Sequence, residues 1–167
     1  MSDDGLELKP ISTGAVPNAI KKAEQYRLIN EPEQAESICL DILAAKPGDQ
    51  HALTVLILAI TDQFGREGGA GARQANEYVA RLDEEYERQY YGGLVVERQA
   101  RAYLGRGKSR ASAYDCFRAA MDHYDKAERL RPEDDDSAVL RWNACLRTIR
   151  RGHLQPPPAD EREQPLE

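Results

Sequence analysis

The feature that most constrains this fold is a residue spacing that occurs twice along the chain. The first copy consists of Ala35, Cys39, Ile42 and Pro47, and the second of Ala120, Tyr124, Ala127 and Pro132. Intervals of three and four residues place the first three members of each copy on one face of a helix, and the proline ends that helix. A motif that returns at fixed spacing predicts a repeat architecture built from helices.

The composition is typical of a helical protein with one domain. Of the 167 residues, 41% are apolar, 31% are charged and only 7% are aromatic, which predicts a folded chain rather than a disordered one. The net charge of −6, with mixed signs along most of the chain, disfavours nucleic-acid binding because that function requires a basic face. A local patch at Arg147, Arg150 and Arg151 is the alternative site for a polyanion.

Three further observations predict a cytoplasmic protein that does not insert into a membrane. The cysteines Cys39, Cys116 and Cys145 are far apart and odd in number, which favours reduced thiols over disulfides. The N-terminus lacks the basic and apolar segments of a secretion signal. The longest apolar stretch, residues 53–60, is far shorter than the ~20 residues that span a bilayer.

The order of apolar stripes and breaking residues divides the chain into three parts. Residues 1–15 are predicted to form an extended arm, 16–151 a helical domain, and 152–167 a proline-rich acidic tail. Within the domain the pattern predicts seven helices, over about 17–29, 32–46, 50–64, 72–89, 94–104, 109–130 and 137–151. Asn30 with Glu33 fits a capping box, Asp49 suits an N-cap, and Gly92-Gly93 is interpreted as a break.

The segment 50–64 is the one place where a strand competes with a helix. It is apolar on nearly every side and contains several β-branched residues, so a buried strand is the alternative. No other run in the chain could pair with such a strand, whereas a helix buried between neighbours accounts for the same pattern. We therefore predict a helix in the middle of a stacked array.

The motif positions resemble those of the tetratricopeptide repeat, a helix pair in which small residues allow close approach and a proline ends the second helix. The matching residues are Ala23, Tyr26, Ala35, Cys39 and Pro47 in the first pair, and Ala100, Tyr103, Ala120, Tyr124, Ala127 and Pro132 in the third. The family's opening Trp and its Leu-Gly pair are absent, and the middle pair contains a glycine-rich insertion at 65–71. The resemblance implies an all-α fold of antiparallel helical hairpins, stacked as a right-handed superhelix of about seven helices over residues 17–151.

The resemblance also implies where a partner would bind. In this family the first helix of each pair lines a concave groove, a mixed polar surface that suits an extended or helical peptide. By register the groove residues are Arg27, His51, Thr54, Leu58, Asp62, Glu97, Arg101, Asn143 and Arg147. The family's clamp for C-terminal carboxylates is not expected, because its positions are occupied by Ile20, Glu24, Val55, Leu94 and Arg98, of which only Arg98 fits.

Three tyrosines beside the predicted Gly-Gly break form a possible second contact. Tyr86, Tyr90 and Tyr91 lie close together, and tyrosine is enriched at interface hot spots. The alternative is that these rings pack at a helix end with their hydroxyls in solvent. The sequence leaves both interpretations open.

No arrangement of residues predicts catalysis, a metal or a cofactor. Gly107-Lys108-Ser109 resembles the end of a phosphate-binding loop, but Ala102 stands where that motif requires glycine and a helix precedes it. The histidines His51, His123 and His153 lack metal-ligand spacing. The expected function is therefore a non-catalytic scaffold or adaptor that binds a protein or peptide in its groove, with a chaperone-like role as one form of it. The alternative is a structural or accessory subunit of a larger assembly, docked through its tails and convex face.

Overall fold

The computed structural model describes residues 5–66, 71–107 and 110–159, and the regular structure in these ranges is entirely helical. After a short 3-10 turn at Thr13–Ala15 the helices are α1 (Val16–Leu28), α2 (Pro32–Ala45), α3 (Gln50–Asp62), α4 (Ala72–Val79), α5 (Glu85–Gly105), α6 (Arg110–Leu130) and α7 (Ser137–Arg151). The prediction of an all-α fold with seven helices is confirmed. Parts of four predicted features lie outside the described residues: 1–4 of the arm, 67–70 of the glycine-rich insertion, Lys108 and Ser109, and 160–167 of the tail.

Neighbouring helices pack against one another in chain order. Each helix contacts the next, and α1 also contacts α3 while α3 contacts α5. These alternate contacts are what a stack of helical hairpins requires, because the first helices of successive pairs then lie side by side. The right-handed sense of a superhelix stays a prediction.

The repeated motif forms part of the core in both of its copies. Its apolar members are completely buried, namely Ala35, Cys39 and Ile42 in the first copy and Ala120, Tyr124 and Ala127 in the second. The prolines Pro47 and Pro132 follow the ends of α2 and α6, as predicted. The motif therefore marks equivalent packing positions in two helix pairs.

Two apolar cores share one helix. The first core is built from α1 to α4 and includes Val95 of α5, whereas the second is built from α5 to α7 and includes Ala100 of α5. Helix α3 is buried on most of its surface, which confirms the helix predicted for this apolar segment over the alternative strand. Helix α5 therefore joins the two halves of the molecule.

The predicted break at Gly92-Gly93 is wrong. Helix α4 ends at Val79, and the interruption falls at 80–84, where the buried Leu82 holds the connection against the first core. The glycines lie inside the continuous helix α5, against α6. A Cβ atom on Gly93 would approach the Tyr124 ring to 2.8 Å. These glycines therefore permit the close approach of two helices rather than ending one.

The predicted capping box is also wrong, whereas the predicted N-cap of α3 is confirmed. Asn30 has a φ of +62°, so it adopts the left-handed conformation just after α1 instead of capping α2. Its side-chain oxygen accepts a hydrogen bond from Arg66. Asp49 accepts a hydrogen bond of 2.9 Å from the backbone N–H of Ala52 in the first turn of α3.

Both terminal segments contact the helical domain. Ile11 packs against the first core, whereas Leu6 and Leu8 on the same arm are 80% and 93% exposed. After α7, Leu154 is buried in the second core, and the Arg110 guanidinium donates a hydrogen bond to the carbonyl of Gly152. In the described ranges, no helix has both the length and the apolar character of a membrane-spanning segment.

Candidate functional site

A cleft lined by arginines opens between the two halves of the molecule. Its volume is about 790 Å³, and its walls come from the C-terminal ends of α1, α3 and α5 together with α7. The arginines that line it are Arg27, Arg66, Arg98, Arg101, Arg106 and Arg141. Asp62 is the one carboxylate among the lining residues described. Six guanidinium groups thus converge in a protein whose net charge is −6.

Asp62 fixes two of these arginines from opposite sides of the cleft. The Nε atom of Arg27 in α1 donates to Oδ2 of Asp62 over 2.8 Å, and the guanidinium of Arg98 in α5 contacts Oδ1. All three side chains are only 21–25% exposed. The two ion pairs therefore link α1, α3 and α5 at the base of the cleft.

A second carboxylate, Glu97 of α5, is completely buried beneath the wall of the cleft. It accepts hydrogen bonds from the Tyr124 hydroxyl at 2.7 Å, from Arg101 at 2.9 Å, and from Arg141 at 3.1 Å. Burial and the neighbouring Glu97 raise the pKa of Tyr124. Burial is the largest single effect on Arg141 and lowers its pKa, but the combined attraction of Glu97, Tyr124 and Tyr90 outweighs it, so the pKa of Arg141 is raised. The Glu97 carboxylate therefore accepts hydrogen bonds from side chains on α5, α6 and α7.

Three arginines of the cleft keep a large part of their surface in water. Arg66 pairs with Glu33 over 2.8 Å and its side chain is 38% exposed, and Arg101 is 44% exposed despite its bond to Glu97. Arg106, at the end of α5, is exposed and makes no ion pair with any residue that the structure describes. Between them lie Phe64 and small residues. These guanidiniums are accessible to an anionic ligand.

Four of the predicted groove residues meet at this cleft. Arg27, Asp62 and Arg101 line it, and Glu97 lies beneath its wall. These four residues were predicted from their positions on the first helix of each helix pair. That prediction treats alternate helices as one surface, which is what the contacts among α1, α3 and α5 provide.

The other predicted groove residues lie elsewhere. His51 pairs with Glu24 over 2.7 Å in a separate hollow at the start of α1. The Thr54 hydroxyl donates to the carbonyl of His51 within its own helix. Three more residues are not part of the cleft lining, namely Leu58, Asn143 and Arg147.

The sequence prediction missed four residues of the cleft: Arg66, Arg98, Arg106 and Arg141. The family register assigns Arg98 only to a clamp position. The spacing of Arg98, Arg101 and Arg106 over two helical turns of α5 is a signal that could have been used. Arg66 and Arg141 are brought in from a loop and from a distant helix, so no local pattern indicates them.

The three tyrosines pack on one another within the helix bundle. The rings of Tyr86 and Tyr90 stack with centroids 6.1 Å apart, and Tyr91 meets Tyr90 edge-on at 5.1 Å. The hydroxyl of Tyr86 donates to Asp135 over 3.0 Å, which ties α5 to the connection before α7. Burial, followed by this hydrogen bond, raises the pKa of Tyr86. All three residues are half-buried, so the structure gives them packing partners.

The remaining candidate residues are metal-ligating side chains and a phosphate-loop-like sequence. In the ranges that the structure covers, no group of three or more His, Cys, Asp or Glu side chains is arranged to hold a metal ion. Gly107 follows α5 with a φ of +66°, and the Lys108 and Ser109 of the phosphate-loop-like sequence lie outside the described residues. The arginine-lined cleft is the strongest candidate for a binding site.

Comparisons with known proteins do not extend this picture. No protein-family model matches the chain, and no curated protein or solved structure does either. The relationship to tetratricopeptide repeats therefore stays a prediction. The cleft and the fold that builds it are the basis on which a function can be assigned.

Proposed function

We propose that this protein is a non-catalytic binding module that holds an acidic segment of a partner protein in the arginine-lined cleft. The observation that supports this most directly is the convergence of six guanidiniums from α1, α5, α7 and the loop after α3. In a protein of net charge −6, such a concentration of positive charge forms a local attractive field for carboxylates. Arginine also binds carboxylates in a bidentate manner, which fixes the orientation of the bound group.

The shape of the cleft favours a peptide segment over an enclosed small molecule. Pockets for small molecules are lined mainly by apolar groups that bury most of the ligand surface. This cleft is instead open and strongly charged, with Phe64 and Ala102 as its main apolar contacts. A chain with alternating acidic and small side chains could enter it while its flanking residues remain in water.

In this proposal the chain is a cytoplasmic adaptor with a tetratricopeptide-like architecture. One form of the proposal is that the chain acts as a chaperone for its bound partner. The stacked arrangement of α1, α3 and α5 is the support, because these helices present their C-terminal ends to a common surface. No reaction is assigned to the cleft, since its ionisable groups are arginines and carboxylates already paired with them.

One observation favours the second candidate, an accessory subunit docked through its arm. Leu8 is 93% exposed on an extended segment beside α2, and Leu6 is 80% exposed. Two exposed leucines on such a segment would gain from burial in a partner, at about 25 cal/mol per Å² of apolar surface. In that case the arm, and not the cleft, would carry the interaction.

The two candidates are separated by variants chosen from the structure. A cleft variant combines Arg66→Gln with Arg106→Glu, and its control combines Arg118→Gln with Arg147→Glu, so both change the net charge equally. Arg118 and Arg147 are exposed and lie outside the cleft lining. Arg101→Glu is avoided, because it would place a carboxylate beside the buried Glu97.

The measurement is quantitative affinity capture from the native cell, followed by fluorescence anisotropy with a labelled acidic peptide from the captured partner. We expect the cleft variant to lose at least about tenfold in affinity, whereas the control keeps it. Equal losses in both variants would contradict the proposal. A partner lost only when residues 1–9 and 156–167 are removed would support the accessory subunit, since that trimming spares the packed Ile11 and Leu154.

A further inference from the structure

We propose that the cleft selects a phosphate monoester, carried on a serine or threonine of the bound acidic segment, through Arg66, Arg101 and Arg106. This inference rests on the proposed function and names the chemistry of its ligand. It is carried by the charge balance of the cleft, by the number of uncommitted N–H donors, and by the space around them.

The charge balance leaves the cleft positive. Six guanidiniums face three carboxylates in direct contact with them, those of Glu33, Asp62 and Glu97, which leaves a formal excess of three positive charges. The C-terminal ends of α1, α3 and α5 each contribute about half a negative charge. The residual charge is therefore about +1.5. A phosphate monoester carries about −1.5 to −2 at pH 7, and one carboxylate carries −1.

The arginines divide into a fixed set and an accessible set. Arg27 and Arg98 are held by Asp62, and Arg141 is held by Glu97. They support the walls of the cleft and are at most about one-third exposed. The accessible set comes from the loop after α3, the body of α5 and the end of α5. A ligand that contacts all three would therefore be bound both by α5 and by the loop after α3.

The accessible guanidiniums have more donors than a carboxylate can use. A guanidinium has five N–H donors. Arg101 uses two nitrogens on Glu97, and Arg66 uses one on Glu33 and one on Asn30. Arg106 makes no ion pair within the described ranges. Three phosphate oxygens can accept several N–H bonds from separate arginines, whereas a carboxylate has two oxygens to share among them.

Small residues leave room for the phosphate between these side chains. Gly65, Ala102 and Gly105 line the cleft together with the three arginines. A Cβ atom placed on Gly105 would meet no atom within 4 Å, so the space beside the end of α5 is open. Gly65 has a φ of +90°, a conformation that strongly favours glycine. A tetrahedral group can therefore approach the guanidiniums without displacing a side chain.

The test uses a short fluorescein-labelled peptide of glycine and glutamate in which one central residue is serine, glutamate or phosphoserine. Anisotropy at physiological salt should show the phosphoserine peptide binding at least about tenfold more tightly than the glutamate peptide. Its advantage should shrink as the pH falls through about 6, where the phosphate gains a proton. The glutamate peptide should show no such change until a lower pH.

Variants separate guanidinium geometry from charge. The change Arg106→Lys keeps the charge but loses the planar fork, so it should reduce the preference for phosphoserine over glutamate. The matched control Arg118→Lys should leave that preference unchanged. Equal affinities of the phosphoserine and glutamate peptides would overturn the phosphate inference and leave the proposed function standing. Failure of all three peptides to bind would overturn both.

Competition with small phosphate compounds and direct binding of RNA test whether the phosphate group comes from another source. Inorganic phosphate or free phosphoserine should displace the peptide only at concentrations far above the peptide's own dissociation constant. Displacement by inorganic phosphate at an equal concentration would show a site for free phosphate. Tighter binding of a labelled single-stranded RNA than of the phosphopeptide would show a nucleic-acid site. Either result would overturn the inference.

Discussion

At the scale of single residues, Glu97 is the group on which the cleft depends most. Its side chain is completely buried, and an ionised carboxylate there is stable only because a tyrosine hydroxyl and two guanidiniums contact it. In return it orients Arg101 and Arg141 along the wall of the cleft. The register of the repeat predicted Glu97 and Arg101 as surface residues of a groove, and it could not reveal that Glu97 is the buried anchor of that surface.

The change Glu97→Gln should lower the free energy of unfolding by roughly 2 to 3 kcal/mol. This is less than the cost of breaking a fully buried ion pair, because Arg101 and Arg141 keep 44% and 31% of their side chains in water. Urea unfolding measures the difference. The matched control is Glu87→Gln, since burial and nearby carboxylates raise the pKa of Glu87 and it forms no ion pair with another residue in the described ranges. Equal effects of the two changes would contradict the anchor role.

The buried cysteines provide a second prediction at this scale. Burial raises the pKa of the Cys39 and Cys145 thiols to about 12, so at pH 8 only about one molecule in 10⁴ carries the reactive thiolate at either site. Cys116 is half-buried, and its pKa is raised by burial and by Asp115. Iodoacetamide should therefore modify Cys116 first in the native protein. Mass spectrometry would contradict this expectation if Cys39 were alkylated at a comparable rate without unfolding.

The same shifts determine how stability changes at high pH. The thiols of Cys39 and Cys145 have a higher pKa in the folded chain than in the unfolded chain, where the ordinary value is about 9. Their contribution to stability is complete below pH 9 and is lost as the pH rises from 9 towards 12. Replacement of Cys145 by alanine should reduce this alkaline loss of stability in denaturant titrations, although it also removes packing from the second core.

At the scale of helices, α5 shows most clearly what could and could not be predicted. Apolar periodicity correctly indicated helical structure on both sides of Gly92-Gly93, and the stop signals at Pro47 and Pro132 were correct. The break was misplaced because two consecutive glycines usually interrupt a helix. Glycine is required at position 93 because the Tyr124 ring of α6 packs against it. Tyr124 is distant in sequence, so a local sequence pattern cannot identify this contact.

The two glycines should respond differently to alanine. In Gly93→Ala the new Cβ would lie 2.8 Å from the Tyr124 ring and 3.0 Å from the Cβ of His123, so overpacking of about 1 to 3 kcal/mol should outweigh the gain of about 1 kcal/mol in helix propensity. In Gly92→Ala the nearest atom, at 3.3 Å, belongs to the His123 ring, which can shift. Thermal unfolding should show a lower Tm for the first variant only. A higher Tm for Gly93→Ala would contradict the close packing of α5 on α6.

At the scale of the whole molecule, two apolar cores meet at α5 and a positively charged cleft opens where they meet. The ion pairs of Asp62 with Arg27 and Arg98 connect the two halves across its base. The sequence predicted the stack of helices and three of the lining residues. It did not predict a single arginine-rich site, because the net charge of −6 conceals a local excess that exists only after α1, α5 and α7 are brought together.

The measurement that tests the central claim most directly is an NMR titration that follows the side-chain Nε–H signals of the arginines while the phosphoserine peptide is added. Assignment by single Arg→Lys changes would identify each signal. We expect the signals of Arg66, Arg101 and Arg106 to shift together and those of Arg118 and Arg147 to remain in place. Shifts confined to Arg147, Arg150 and Arg151, or no shifts at all at saturating peptide, would contradict the assignment of binding to the cleft.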